Sequence, residues 1–254
     1  MRKIVAYSVI IVLTFIIAYF GKNVLHSYVQ IELPTFFLKV AYSYSWWIVP
    51  TSLVLGILYG FNDLLKNLGL NKGFLIGFIF SLITVFPMII SSAIAGTIDD
   101  NLNFGSLFQK TFCAGFFEEF LFRGFLFGIL FRKLSWGFIP ASILGALIFG
   151  FSHIYQGHTT AETFGVFLVT AMGAVWFSWL YIEWNANLWV PIFLHSFMNL
   201  SWNLFDMSDN ALGGGFTNLF RVITIALTII ITIRYHKKSG LQINRKNLIV
   251  NIRK

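Results

Sequence analysis

The sequence predicts an all-α, polytopic membrane protein of about eight transmembrane helices, and three observations predict it. Of 254 residues, 57% are hydrophobic and only 11% are charged, with 30 phenylalanines. That leaves too little polar surface for a soluble protein of this size. The apolar residues fall in continuous runs of roughly 18 to 25, the length that crosses a hydrocarbon core about 30 Å thick. Those runs do not alternate polar with apolar, as barrel strands do, so helices that satisfy their own backbone groups are the spanning element.

In chain order the spans are expected at 4–20, 37–60, 73–96, 105–131, 136–155, 161–182, 188–206 and 215–235. The first resembles a signal peptide in its basic flank, but its apolar stretch of about 17 residues is long for a signal core and no A-x-A-like site follows. It reads as a retained span. Trp46, Trp47, Trp136, Trp184 and Trp189 are read as lying near predicted span ends. Aromatic rings at span ends are interfacial anchors. No repeat, low-complexity tract or soluble linker interrupts the series. The chain therefore divides only within one membrane domain: amino-terminal spans in 1–104, a core in 105–206, and the last span with a basic tail in 207–254.

Charge orients the spans. With the amino terminus inside, the inner segments hold Arg2, Lys3, Lys66, Lys72, Arg132, Lys133 and seven tail residues from Arg234 to Lys254. The outer connections hold only Lys22, Lys39 and Lys110, together with Glu32, Asp99, Asp100, Glu162, Asp206 and Asp209. By the positive-inside rule both termini are cytoplasmic, as an even number of crossings requires. The net charge of +8 then expresses topology, with the tail lying on anionic headgroups, rather than a nucleic-acid partner. The chain's Phe- and Ile-rich style suggests a bacterial cell membrane. One cysteine, Cys113, excludes an intrachain disulfide and a CxxC site, and it reads as a small apolar packer.

The fourth span contains FFEEFLFRGF, three charges where lipid tolerates none. An ionisable group at a membrane-helix centre costs roughly 2.5 to 3.5 kcal/mol on insertion scales, so these side chains must face the bundle and find partners. Glu119 and Arg123 are i and i+4 on one face, a natural ion pair that fixes packing. Glu118 is rotated away and left spare. The fifth span ends in FGFSHIYQGH, with Phe149 and His153 at i and i+4, and the seventh carries VPIFLHSFMNLSWN, stacking His195, Asn199 and Asn203. A lone membrane histidine more often makes a packing hydrogen bond than a reaction. Two of them with an asparagine stripe and a spare glutamate, on three helices, ask for chemistry. A carboxylate set in an apolar pocket suits a general base, and a nearby histidine can share the proton and orient water. A histidine and an asparagine one turn apart can both donate to a tetrahedral oxyanion. Together they describe hydrolysis of an amide in or beside the membrane.

These segments are similar to a known set of motifs. EEFLFR matches E-E-x-x-x-R, FGFSH matches F-x-x-x-H, and HSFMN matches H-x-x-x-N of the CPBP or Abi family, intramembrane endopeptidases related to the type II CAAX prenyl protease. The resemblance covers Glu118 to Asn199 and the eight-helix count; the first three spans and the tail match only by hydropathy. It implies that Glu118 and His153 activate water, that His195 and Asn199 form the oxyanion hole, and that the mechanism depends on glutamate rather than serine, cysteine or aspartate; no cofactor or metal is then expected. The substrate it implies is a membrane-associated peptide or protein.

Three other readings use the same residues. Glu118, Glu119, His153 and His195 are possible zinc ligands, although no H-E-x-x-H pair exists and Arg123 competes for Glu119. Buried acids and histidines also serve proton-coupled transport, although no internal repeat is evident. A non-catalytic peptide-binding or bacteriocin-immunity protein is the third. His158 and Glu162 are expected in a water-facing connection, and Arg221 is expected to snorkel. The hydrolytic reading requires a cavity between the fourth, fifth and seventh spans. It also meets a difficulty of depth. Counted from the inner boundaries, Glu118 lies roughly 20 Å up, His153 about 25 Å and His195 only about 10 Å. The seventh span must therefore begin deeper than drawn, or be tilted or broken.

Overall fold

A computed structural model describes residues 2–98 and 102–251; Asp99, Asp100, Arg253 and Lys254, used in the charge argument, lie outside the described residues. Every regular element among the described residues is a helix. In order it forms α1 (Arg2–His26), α2 (Phe36–Tyr59), a short α3 (Leu64–Leu68), α4 (Phe74–Ala95), α5 (104–133), α6 (Phe138–Phe151), α7 (Thr160–Glu183), α8 (Trp189–Leu204) and α9 (Gly215–Tyr235). Apart from α3, these are the eight expected helices, with ends shifted by a few residues. Among the described residues five are long and apolar enough to cross a membrane: α1, α4, α6 with its following turn, α7 and α9. A sixth arises if α2 and the segment Phe61–Leu68, bent 116° away from it, form one span. The two helices left out carry the candidate chemistry. The apolar run of α5 is interrupted by Glu118, Glu119 and Arg123. With 16 residues, α8 is about 24 Å long, short of the hydrocarbon core.

The packing is inverted relative to a water-soluble bundle. Large apolar side chains cover the outside, as Leu13 and Ile17 on α1, Ile83 on α4 and Val222 on α9 show. The buried residues of α9 are all threonines, Thr217, Thr224, Thr228 and Thr232. In lipid an outward isoleucine costs nothing and an inward hydroxyl gains a partner, so the polar stripe faces protein. This is the surface of a multi-pass membrane protein. At its centre lies α5, buried on every side from Glu119 to Phe131. A helix apolar all round belongs inside a bundle, and protein rather than lipid surrounds it.

The indoles at the helix ends do more than anchor. Trp136 Nε1 donates to Ser8 Oγ at 3.0 Å, Trp184 Nε1 to Thr232 Oγ1 at 3.0 Å and Trp189 Nε1 to the Leu70 carbonyl at 3.0 Å. Their N–H groups fasten helix to helix, which revises the purely interfacial reading. The tail is likewise more ordered than a segment resting on headgroups. Buried Glu183 at the end of α7 accepts the backbone N–H of Gln242 at 2.8 Å and of Ile243 at 2.9 Å, while His236 stands 3.5 Å from its carboxylate. Further on, Gly137 N–H donates to the Ile249 carbonyl and Asn251 Nδ2 to the Phe131 carbonyl. The tail thus straps the ends of α5, α6 and α7, leaving Lys237, Lys238, Arg245 and Lys246 exposed. Because Trp136 meets Ser8 and Gly137 meets Ile249, both described ends of the chain lie at the same end of the bundle.

Candidate active site

The site is built on α5. Asn103 caps its first turn, its side chain accepting the Ser106 N–H at 3.0 Å. The helix then widens twice into π-helical turns, at Gln109–Cys113 and Phe120–Phe127, and the segment between them, Ala114–Glu119, carries the two glutamates. Such widened turns leave backbone groups strained and recur at functional positions. Within this frame Glu119 and Arg123 pair at 3.1 Å, with side chains 0% and 2% exposed. The Arg123 guanidinium also lies over the rings of Phe149, Phe177 and Phe122 at 4.7, 5.5 and 5.9 Å. An arginine so deep is held by one carboxylate and three π faces, so removing Glu119 strands a buried charge.

His195 on α8 joins this pair through both ring nitrogens. Nδ1 lies 2.8 Å from Glu119 Oε1, and Nε2 lies 3.9 Å from Glu118 Oε2. A carboxylate only accepts, so the 2.8 Å contact places a proton on Nδ1. Nε2 then faces Glu118, and it donates to an oxyanion only when His195 is an imidazolium. The two glutamates differ sharply. Glu119 is fully enclosed, its Oε1 shared by Arg123 and His195, whereas the Glu118 side chain is 21% exposed; the Oε2 of each lacks a hydrogen-bond donor among the described residues. The Glu119–Arg123 pair expected from helical spacing is present, with His195 as an extra partner of Glu119.

The contact between α5 and α8 also resolves the depth difficulty. A Cβ on Gly124 would stand 2.9 Å from Leu188 Cδ2, and one on Gly115 would stand 2.2 Å from Ser196 Oγ and 2.9 Å from the Ser196 backbone nitrogen. Residues 188 to 196 therefore run antiparallel along residues 124 to 115 at near-backbone contact. The start of α8 is level with Gly124, not with Lys133, so His195 arrives beside Glu119. The preceding turn is drawn in by Leu188 N–H, which donates to the Gly69 carbonyl at 3.0 Å, and by Asn187 Nδ2, which donates to the Gly73 carbonyl at 2.9 Å.

His153 and Asn199 stand one step further out. His153 follows the last turn of α6, half-buried, its Nδ1 2.7 Å from the Phe149 carbonyl and its ring 4.4 Å from the Phe149 ring. A carbonyl cannot donate, so Nδ1 carries a proton here too and Nε2 is free to accept. No hydrogen bond or ion pair among the described residues joins His153 to Glu118 or His195. Tyr19 is beside Ser152, the neighbour of His153, and within electrostatic range of Glu118. Asn199 donates one amide hydrogen to the Lys110 carbonyl at 2.9 Å, within the first widened turn of α5, which leaves its second for another acceptor. Asn203 donates to the Asn199 carbonyl at 2.8 Å and extends the stripe without facing the glutamates.

Several features escape sequence reasoning. Tyr44 of α2, stacked on Phe117 at 4.1 Å, is within electrostatic range of Glu118. No local spacing connects α2 to α5, so only the fold places that phenol. A cleft of about 240 Å³, lined by Tyr19, Lys22, Tyr44 and Gln109 among others, opens between α1, α2 and the start of α5. The cavity was expected between α5, α6 and α8. This cleft lies to one side of that position, and α5 and α8 are in tight contact at Gly115. Arg221 does not snorkel: it donates to the Ala211 carbonyl at 2.8 Å and covers the Trp202 ring at 4.5 Å, securing the turn before α9. Glu162 accepts the His158 N–H at 2.9 Å at the exposed start of α7, and Cys113 is buried. Among the described residues no group of three or more His, Cys, Asp or Glu converges as a metal site.

Residues 101–201 match the family model described as type II CAAX prenyl endopeptidase Rce1-like, a stretch that contains Glu118, Glu119, Arg123, His153, His195 and Asn199. Among curated proteins, one named "Putative membrane peptidase YdiL", from Bacillus subtilis (strain 168), is 38% identical over 82 residues. Those residues are 32% of this chain and 29% of that relative, so the chain matches less than a third of the relative's length. No solved structure gives a significant match.

Proposed function

With a core of the CAAX protease-like family in residues 101–201 as premise, we propose that this multi-pass membrane protein is an intramembrane endopeptidase. It hydrolyses a peptide bond of a membrane-associated peptide or protein without a metal. Glu118 takes a proton from water while His153 Nε2 accepts the second hydrogen bond and fixes the attacking lone pair. The water oxygen adds to the carbonyl carbon, and the resulting oxyanion accepts hydrogen bonds from His195 Nε2–H and Asn199 Nδ2–H. Collapse breaks the C–N bond, and the proton held by Glu118 passes to the departing amine. Glu119 does no chemistry here; it holds His195 in register and neutralises Arg123. General-base action of this kind contributes about 10²- to 10⁴-fold, and oxyanion donors about 10²- to 10³-fold.

The observation that carries this reading is the asymmetry of the glutamates. One is sealed, its Oε1 shared by Arg123 and His195, and its neighbour is partly exposed beside the open nitrogen of the same histidine. An ion-pair scaffold alone needs only the first. The described ends of the chain lie at one end of the bundle, which with the basic bias supports the orientation with both termini cytoplasmic and the exposed tail lysines and arginines on anionic headgroups; a bacterial cell membrane is part of the same proposal. The test is a comparison of membrane peptides between wild-type cells and cells carrying Glu118→Gln. Specific precursors accumulate in the variant if the reading holds, and cleavage of the same precursors by purified wild-type protein persists in a chelator. Identical peptide populations, or loss of cleavage on chelation, contradict it.

A further inference from the structure

The cleft between α1, α2 and α5 has a composition that the hydrolytic site does not use. Its polar lining is Lys22 and Asn23 from α1, Ser43 from α2 and Gln109 from α5, and its aromatic walls include Tyr19 and Tyr44. No acid is among these residues. Lys22 Nζ is 3.2 Å from Ser43 Oγ, a neutral partner, and no carboxylate among the described residues lies within ion-pair distance of it. The half-enclosed ammonium, with amide and hydroxyl donors beside it, has the chemistry of an anion site. Tyr19 and Tyr44 also connect it to the centre, since both are within electrostatic range of Glu118 and Tyr44 stacks on Phe117.

Building on the hydrolytic reading, we propose that this cleft is a substrate subsite that recognises a carboxylate, with Lys22 as its specificity-determining residue. Gln109 precedes Glu118 by nine positions on one helix, about 13 Å along its axis. An extended peptide advances about 3.3 Å per residue, so the recognised group lies about four residues from the scissile bond. An acidic side chain and a free chain terminus present the same carboxylate at that distance. A cation in the cleft and a carboxylate base beyond it on α5 also orient the peptide: its negative end is drawn to Lys22 and repelled by Glu118.

The test measures binding as well as cutting, so that the two readings fail separately. Full-length protein in phosphatidylcholine nanodiscs is titrated with fluorescent apolar peptides that differ only in Glu against Gln at one position, each with a free or an amidated carboxy terminus. One charge-assisted hydrogen bond is worth about 1.5 kcal/mol or more, so wild type should prefer the carboxylate-bearing twin by about tenfold or more. Lys22→Met should reduce that ratio to near one, and Lys22→Arg should retain most of it. The amidated pair assigns the preference to side chain or terminus. Equal binding of all four peptides by wild type, or a preference that survives Lys22→Met, overturns the subsite. It is also overturned if Lys22→Met leaves peptide binding unaltered but loses retention of phosphatidylglycerol, which makes the cleft a lipid site. Carboxylate-dependent binding with no cleavage leaves the subsite standing and removes the protease.

Discussion

At the residue scale the two glutamates, adjacent in sequence, meet different physics. Glu119 shares its face with Arg123, and the i, i+4 rule was enough to find that pair because both residues ride the same helix. Its bond to His195 was out of reach, since 76 positions separate them and their meeting depends on glycine-level contact between α5 and α8. For the same reason the hydrogen bonds that orient His153 and Asn199, to the Phe149 and Lys110 carbonyls, were invisible while the residues themselves were legible as polar intrusions in apolar runs. The pairing predicts a division of phenotypes. Glu119→Gln leaves Arg123 buried without its counter-charge, which costs about 3 to 5 kcal/mol. A lower midpoint of thermal unfolding in detergent is therefore expected. Glu118→Gln neutralises a partly exposed group and should leave that midpoint within about a degree, corresponding to a change of a few tenths of a kcal/mol.

At the element scale, the helices were legible because lipid leaves little choice: a long apolar run must be helical to satisfy its backbone. The five-residue α3 was not, being too short to show a period and set in a segment that reads as a connection. The deep start of α8 was missed because hydropathy reports composition and is blind to a turn pulled inward by Gly69 and Gly73. Gly115 is where this arrangement is most exposed to mutation. Gly115→Ala puts a methyl against the Ser196 backbone, and overpacking costs typically 1 to 3 kcal/mol. Because Ser196 follows His195 directly, we expect kcat to fall more than stability, read from turnover and unfolding on the same preparation. The tail strap gives a separate test. Glu183→Gln keeps one acceptor oxygen for two backbone donors and removes the charge facing His236. Residues 242–251 should then become sensitive to limited proteolysis while α1 to α9 stay protected.

At the scale of the whole molecule, the fold reads as a lipid-covered shell around one buried helix. Ion pair, cation–π cage and aromatic core all converge on α5, so charges that hydropathy penalises are compensated by protein. Both described ends of the chain meet at residues 136 and 137, and with the basic bias we propose that this is the inward face. A cysteine at Tyr28, in the connection after α1, should react with a membrane-impermeant maleimide in intact cells, and one at exposed Lys238 only after lysis. The reverse pattern inverts the topology and places the Lys22 cleft on the cytoplasmic side.

The account depends most on Glu118 being the group that activates water. The direct measurement is kcat of purified Glu118→Gln, in nanodiscs with a chelator present, on a membrane peptide that the wild type cuts. Retained folding with kcat reduced by about 10²-fold or more is the predicted result. Turnover at the wild-type rate contradicts it and leaves the buried charges a scaffold.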